Sequence, residues 1–401
     1  MARTDPYDVE AVRRDFPALA EGLAHFDGPG GTQVPDAVSA AVHDAMRSAV
    51  SNRHGPFASS RRSDALVDAA REAVADLVGG EPGGVVLGQS MTANTYVMAG
   101  ALAKTWSAGD EVVLSRLDHD ADVRPWVQAA ARAGAVVRWA EVDPATAELP
   151  AEQYDQLVNE RTRLVAVTAA SNATGTRPDV RGIADRAHAV GAVVHVDGVH
   201  ATPHLPTDVQ ALGADLYATS AYKWYGPHIA FTIGDPALLE SLRPDKLLPS
   251  SDAVPDRFEH GTLSFAALAG VTAAVDWIAS HGAGATRRER ILSAMGAVRA
   301  HEAEVFARLL AGLSANDDVS LVGSPARRTP TVAFTVAGRT PQQVSTRLGD
   351  QGVAVWAGDY YAVELMTALG LASSGGAVRA GVVCYTTAAE VDRLLAALHE
   401  V

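Results

Sequence analysis

Only three of the 33 basic residues are lysines: Lys104, Lys223 and Lys246. Chemistry that needs an amine therefore has three candidates. Lys223 has the richest context, because it follows the apolar run DLYAT (215–219) and precedes the turn Trp-Tyr-Gly-Pro. An amine there is fixed at the end of a rigid element. Lysine forms Schiff bases and is readily tuned by desolvation. Lys104 lies on a helical pattern and Lys246 in a proline-flanked segment, and neither has such a setting. Asp197 closes another apolar run, AVVHVD (192–197). A carboxylate at that place needs a cationic or donor partner.

A pyridinium nitrogen is such a partner, and pyridoxal phosphate requires both a lysine and a carboxylate of this kind. Its phosphate needs a helix N-terminus with hydroxyls. Ser90, Met91 and Thr92 precede a helical pattern over 93–106. A metal centre is the competing chemistry. His195, His200 and His204 cluster in the sequence, and Asp118, His119, Asp120 and Asp122 form a second group of plausible ligands. No HExxH helix is present, and the expectation is no metal. No G-x-G-x-x-G follows the first strand, which argues against a nicotinamide enzyme.

These residues need elements to hold them. Apolar runs at 85–88, 111–115, 135–140, 163–168, 192–197, 215–219 and 229–233 are expected to be strands. They are apolar on both faces, as strands of a covered parallel sheet should be. Helical patterns at 92–106, 122–134, 179–191 and 207–214 alternate with them, which predicts an α/β fold with a mostly parallel sheet. Ligands of such sheets bind at the carboxyl ends of the strands, where the loops supply residues 89–92, 117–122, 171–175, 197–200 and 220–227. After about residue 280 the pattern changes. A long charged helix over 285–313, strands near 331–336 and 377–383 and a last helix over 388–400 predict a second α/β domain.

Composition sets the outer limits. The charge is 33 − 47 = −14, which argues against a nucleic-acid or anionic-membrane partner. One cysteine, Cys384, excludes a disulfide framework. The first residues carry charges throughout and show no signal-peptide h-region. The longest apolar stretch, 263–279, is short for a membrane span and contains Asp276. A cytoplasmic protein with a small-molecule substrate is the expectation.

The motifs, taken in order, resemble the cysteine desulfurase and selenocysteine lyase group, which are fold-type I pyridoxal-phosphate enzymes of the class V aminotransferase type. They are HFDGPGGTQVP (25–35), NRHGPF (52–57), LDHDADVRPW (117–126), SNATGT (171–176), the stretch 195–227, RFEHGT (257–262) and 377–398. The resemblance implies the PLP-dependent transferase fold, with a seven-stranded, mostly parallel large domain over 25–280. It also implies a smaller C-terminal α/β domain over 281–401 and an N-terminal arm, 1–24, packed on it.

The resemblance further implies roles. Lys223 would hold the cofactor as a Schiff base, Asp197 would pair with the ring nitrogen, and His119 would stack on the ring. Asn172 and His200 would sit near the ring hydroxyl, although the family usually has Gln at the second position. Met91, Thr92, Ser220 and Tyr222 would lie at the phosphate, with Tyr222 standing where the family usually has His. Thr262 would reach the phosphate of a partner subunit, which implies a homodimer with its active site at the interface. Arg379 would bind the substrate carboxylate as a fork, with Asn172, His54, Trp356 and Tyr361 around the substrate.

One departure bears on function. In VWAGDYYAVELM (355–366), Tyr361 occupies the position of the desulfurases' nucleophilic cysteine. A phenol cannot form a persulfide. Trp356 and the Tyr360–Tyr361 pair also suggest a more aromatic, bulkier pocket. The expected reaction is β-elimination from cysteine or an S-substituted cysteine, in which Lys223 takes the Cα proton. Thiol or sulfide, pyruvate and ammonia leave. Tyr361 either protonates the leaving thiolate or walls the pocket. The alternative is an aminotransferase, epimerase or decarboxylating deaminase of an amino acid. A cofactor-binding scaffold without turnover is the non-enzymatic reading.

Overall fold

Thirteen strands order the chain in the computed structural model, which describes residues 7–401. They are β1 (Ala24–His25), β2 (Val85–Gly88), β3 (Glu111–Ser115), β4 (Val136–Ala140), β5 (Thr162–Thr168), β6 (Val193–Asp197), β7 (Leu216–Ser220), β8 (Ala230–Gly234), β9 (Val319–Leu321), β10 (Thr331–Val336), β11 (Val353–Ala354), β12 (Trp356–Gly358) and β13 (Ala377–Gly381). Seven form one sheet in the order β2-β8-β7-β6-β5-β3-β4. All pair in parallel except β8, which runs antiparallel to both neighbours. The chain leaves β3 toward one edge and returns on its other side as β5. A crevice therefore opens at the carboxyl ends of β3 and β5, the place where such sheets take ligands.

Both faces of this sheet are covered, which is why its strands are apolar throughout. Val112, Leu114 and Leu164 pack under the helices Met91–Ala103 and Arg124–Ala133, with Trp126 fully buried. Val113, Val165 and Val167 face the opposite side, against the helices Ala58–Val78, Val180–His188 and Phe265–Ser280. Alternate residues of one strand thus serve two cores. The helix Met91–Ala103 starts two residues earlier than the sequence pattern predicts. Ser90 is its N-cap, accepting a hydrogen bond from Ala93 N at 3.1 Å.

The helix Arg287–Ser314 joins the two parts of the chain. A capping box of Thr286 and Glu289 starts it. Its first half buries Ile291 and Met295 in the core of the large sheet, and its second half buries Phe306 and Leu309 in a separate core. That second core lines an antiparallel sheet, β12-β13-β10-β9. The sequence pattern marked only β10 and β13 of its strands, since β9 and β12 are three residues each.

Of the N-terminal arm, residues 1–6 lie outside the described residues. The rest touches both parts. Arg13 pairs with Glu390 at 2.9 Å and donates to Tyr385 O at 2.6 Å, while Asp15 accepts from Trp277 Nε1 at 2.8 Å. The arm ends in β1, which pairs in parallel with β11. No described helix is long and apolar enough to cross a membrane.

A buried ion pair fixes the segment before Thr262. Arg71 Nη2 meets Glu259 Oε1 and Asp256 Oδ1, each at 2.8 Å. Removing one partner of such a pair strands the other charge, so Arg71→Met should lower stability by about 3–5 kcal/mol. Urea denaturation checks this, and a loss within about 0.5 kcal/mol would contradict it.

Candidate active site

A cavity of about 780 Å³ lies at the carboxyl ends of the large sheet, between it and the antiparallel sheet. Its lining includes Met91, Thr92, His119, Asn172, Asp197, His200, Ser220, Tyr222, Lys223, Trp356, Tyr361 and Arg379. The size is ordinary for a cofactor or small-molecule pocket. Two expected residues stand elsewhere. His54 is exposed beside Asp64, at 3.4 Å, and Thr262 is exposed on the segment after Glu259. Neither lines the cavity of its own chain.

Lys223 sits in a short helical turn directly after β7. Its amine is buried and donates to Pro29 O. No carboxylate among the described residues pairs with it. Burial first, and Arg379 second, bring it down to about 7, with Asp197 opposing. A large share of the amine is therefore neutral and nucleophilic near pH 7. Asp197 ends β6, and its Oδ1 accepts from Val199 N at 2.8 Å. Burial raises this carboxyl above the usual range, while Val199 N–H, His195 and Lys223 hold it down. A cation placed against it would be strongly favoured.

His119 follows β3. Its Nδ1 accepts from Ala121 N at 3.0 Å, which leaves Nε2 to carry the ring proton. Burial and Lys223 push it down to about 4, so the ring is neutral. Tyr361 stacks on it, with centroids 5.5 Å apart and planes 24° apart. The loop holding Tyr361 is tied to the His119 loop three times. Asp120 N donates to Tyr361 O at 2.7 Å, and Glu364 bridges Arg124 and Arg116 at 3.3 and 2.7 Å. Tyr360 and Tyr361 both adopt left-handed backbone, φ 57° and 58°. Two consecutive non-glycine residues in that region store strain, which clusters at functional sites. The side chains diverge: Tyr360 is buried and donates to Ala377 O, whereas Tyr361 is 71% exposed at the mouth.

Arg379 lies on β13, directly opposite Trp356 of β12. Its Nη1 donates to Asn172 O at 3.0 Å and its guanidinium lies 4.5 Å from the Tyr360 ring centroid. Burial lowers it to about 10, so it stays charged at neutral pH. Arg379 Nε and Asn172 Oδ1 are buried without a partner. Asn172 Nδ2 is taken by Tyr360 O at 2.9 Å. His200 Nε2 lies 3.0 Å from Thr331 Oγ1 and 3.2 Å from Thr329 Oγ1, and burial pushes its ring well down. Tyr222 stacks flat on His228, centroids 4.8 Å apart.

This donor set fits pyridoxal phosphate. The orphaned Asn172 Oδ1 and Arg379 Nε ask for polar groups of a ligand. The N–H groups at Met91 and Thr92 have no intrahelical partner, and Ser220 adds a hydroxyl, as an anion needs. Lys223 offers an uncompensated amine, and Asp197 offers a carboxylate that burial makes ready for a cation. One consequence is measurable. Covalent capture of pyridoxal phosphate by cofactor-free protein should quicken about tenfold per pH unit below about 7 and level off above about 8, as Lys223 loses its proton. A rate that stays flat between about pH 6 and 9 would contradict this.

The histidines and aspartates considered for a metal fall into pairs. Among the described residues, no group of three or more ligating side chains is arranged to hold an ion. His204 pairs with Glu302 at 2.9 Å and His195 with Asp122 at 2.7 Å. Sequence reasoning missed Pro29, Gly30 and Gly31, which bring the chain against Lys223 and Tyr222. A Cβ on Gly31 would lie 3.3 Å from the Tyr222 ring. The signal was present in GPGG after the short first strand. It also missed Tyr96, which lines the cavity from a helix position that carries no motif, and Arg124, which lies inside the 117–126 motif but was given no role.

Comparison with known proteins agrees with this geometry. Residues 24–394 match the model of the family described as aminotransferase class-V. An uncharacterized protein of Mycobacterium tuberculosis is 40% identical over 98% of both chains. A probable cysteine desulfurase of Pseudomonas aeruginosa is 34% identical over 96% of both. The crystal structure of a cysteine desulfurase from Escherichia coli superposes with a TM-score of 0.87 at 27% identity, covering 99% of this chain and 98% of that one.

Proposed function

The chain belongs to the aminotransferase class-V family, whose members use pyridoxal phosphate, and we propose that it is a lyase that breaks the Cβ–S bond of cysteine or an S-substituted cysteine. The observation that carries this reading is the absence of a usable thiol from the cavity lining. The one cysteine of the chain, Cys384, is fully buried, lies outside the cavity, and has its thiol pushed up by burial. The motif resemblance puts Tyr361 at the place of the desulfurases' cysteine. Sulfur transfer to this chain's own cysteine therefore lacks an acceptor.

Bound pyridoxal phosphate supplies an electron sink for the pair left at the substrate's Cα. The residues of the chain supply the rest. Met91, Thr92 and Ser220 hold the phosphate, with Tyr222 beside it. Asp197 would pair with the ring nitrogen and favour its protonated form, and His119, neutral and pinned by Ala121 N–H, would pack on the ring. Arg379 takes the substrate carboxylate, with Asn172 beside it, and His200 borders the ring hydroxyl. Lys223, neutral near pH 7, takes the Cα proton. Trp356 and Tyr361 wall the side of the pocket toward the sulfur substituent. The overall balance is RS–CH2–CH(NH3⁺)–COO⁻ plus water giving RSH, pyruvate and ammonium.

The reading includes a homodimer in the cytoplasm. Thr262 and His54 are exposed and outside their own cavity, which suits residues that act on a second copy's site. The test is a product assay. The protein loaded with cofactor is incubated with cysteine and a panel of S-substituted cysteines, and pyruvate and thiol are measured by mass spectrometry. Matching pyruvate and thiol support the lyase. Amino-group transfer to a keto acid, or Cα exchange without elimination, moves the assignment to an aminotransferase or epimerase.

A further inference from the structure

Behind Asp197 lies a buried acid cluster that the mechanism above does not use. His195 stands two residues before Asp197 on β6, so both side chains leave the same face of the strand, about 7 Å apart. His195 Nδ1 lies 2.7 Å from Asp122 Oδ1, and both side chains are fully buried. Trp126 Nε1 donates to the same Asp122 oxygen at 3.1 Å, and its ring lies edge-on to His195. Asp118, also buried, accepts a hydrogen bond from Ser115 Oγ, and burial together with the charge of Asp122 holds its carboxyl well above the usual range. One oxygen of each aspartate and both ring nitrogens of His195 make no hydrogen bond, so His195 meets Asp122 as a close ion-pair contact. The further titratable groups facing this cluster are Tyr154, on the helix Tyr154–Leu157, and Asp197. Beyond Asp197 lie Lys223 and Tyr217, the latter on β7. Among the described residues, no lysine or arginine pairs with Asp118 or Asp122.

Three buried carboxyls cannot all be ionised here. Burial and their mutual repulsion leave Asp118 and Asp122 at most one charge between them, −1. That charge would sit within reach of Asp197 and oppose its ionisation. An imidazole at 2.7 Å changes the count, because one further proton, on the ring or on Asp122, cancels that charge. The three groups together become neutral, whichever of the two atoms carries that proton. We propose that His195 neutralises the Asp118–Asp122 pair, so that Asp197 alone presents a full negative charge toward the ring nitrogen of pyridoxal phosphate. His195, Asp118 and Asp122 are then positioning residues that act through Asp197. The inference rests on the assignment of Asp197 to the ring nitrogen, and not on which reaction follows.

The test is cofactor binding, not turnover. Cofactor-free protein is titrated with pyridoxal phosphate at a series of pH values, with tryptophan fluorescence as the readout. His195→Gln keeps a donor toward Asp122 but cannot carry the proton. It should move the pH at which affinity falls to half upward by about one to two units. Asp122→Asn alone should leave that pH in place. Adding Asp122→Asn to His195→Gln should return it to within about half a unit of the parent, since the surplus charge is removed. A purely structural role predicts the reverse, with the double variant worse than the single. An unmoved His195→Gln, or a double variant shifted as far as the single, overturns the proposal. Infrared spectroscopy of the parent protein adds an arm that needs no folded His195 variant. At neutral pH it should show the carbonyl stretch of a protonated buried carboxyl, weaker in Asp118→Asn, and its absence overturns the proposal. Parent protein that binds no pyridoxal phosphate would instead defeat the cofactor assignment.

Discussion

Lys223→Ala should abolish pyruvate formation, with turnover down at least about a thousandfold. Lys104 and Lys246 cannot substitute. Their amines are engaged with Asp245 and Asp252, and neither residue lines the cavity. The variant should also lose its covalent hold on the cofactor, so that dialysis removes the yellow colour that the parent protein retains. Stability should not suffer. Among the described residues the amine has no acid partner, and it donates to Pro29 O. Deleting a buried, uncompensated amine relieves a desolvation cost instead of breaking a pair. Loss of activity with an unchanged urea midpoint therefore separates a chemical role from a structural one. Pyruvate at the parent rate would sink the scheme.

Arg379 substitutions should raise KM for the amino acid far more than they lower kcat. The guanidinium is buried, its Nε has no partner, and Tyr360 and Asn172 O fix its plane. A planar fork held in this way suits a carboxylate. Arg379→Leu removes the charge and should cost about 2–5 kcal/mol of substrate binding. Arg379→Lys keeps the charge but loses the fork and the stacking on Tyr360. It should cost roughly 1.5–3 kcal/mol, the worth of a hydrogen bond to a charged group. The ordering Leu worse than Lys, with kcat within about tenfold of the parent, is the expected pattern. Equal KM in all three proteins would show that the carboxylate binds elsewhere.

Much of this architecture was legible in the residue order, and the reason is physical. Strands buried on both faces must be apolar without interruption, so the seven runs from 85–88 to 229–233 stand out and match β2 to β8 within a residue. Lys223, Asp197, His119 and Asn172 could be placed because they follow those runs, and a parallel sheet sends such loops to one edge. The small domain was harder. β9, β11 and β12 are two or three residues long, and pairing partners such as β1 and β11 are separated by more than 300 residues. No local pattern announces them. The left-handed turn at Tyr360 and Tyr361 was equally hidden, since that backbone ordinarily favours glycine or asparagine. The Asp122–His195 pair joins residues 73 positions apart by tertiary packing alone. Thr262 and His54, finally, are exposed and lie outside the cavity of their own chain.

One measurement goes to the centre of the account: the fate of sulfur and carbon when the cofactor-loaded protein consumes unsubstituted cysteine. Elimination without a thiol acceptor predicts sulfide and pyruvate in equal amounts, ammonium alongside, and no sulfur left on the protein. Sulfur transfer to a cysteine would instead leave alanine in solution and a persulfide on the chain, visible as added mass on Cys384. Equal sulfide and pyruvate would place the chain among lyases. Alanine with a protein-bound persulfide would contradict the claim that Tyr361 has replaced the function of the desulfurases' cysteine.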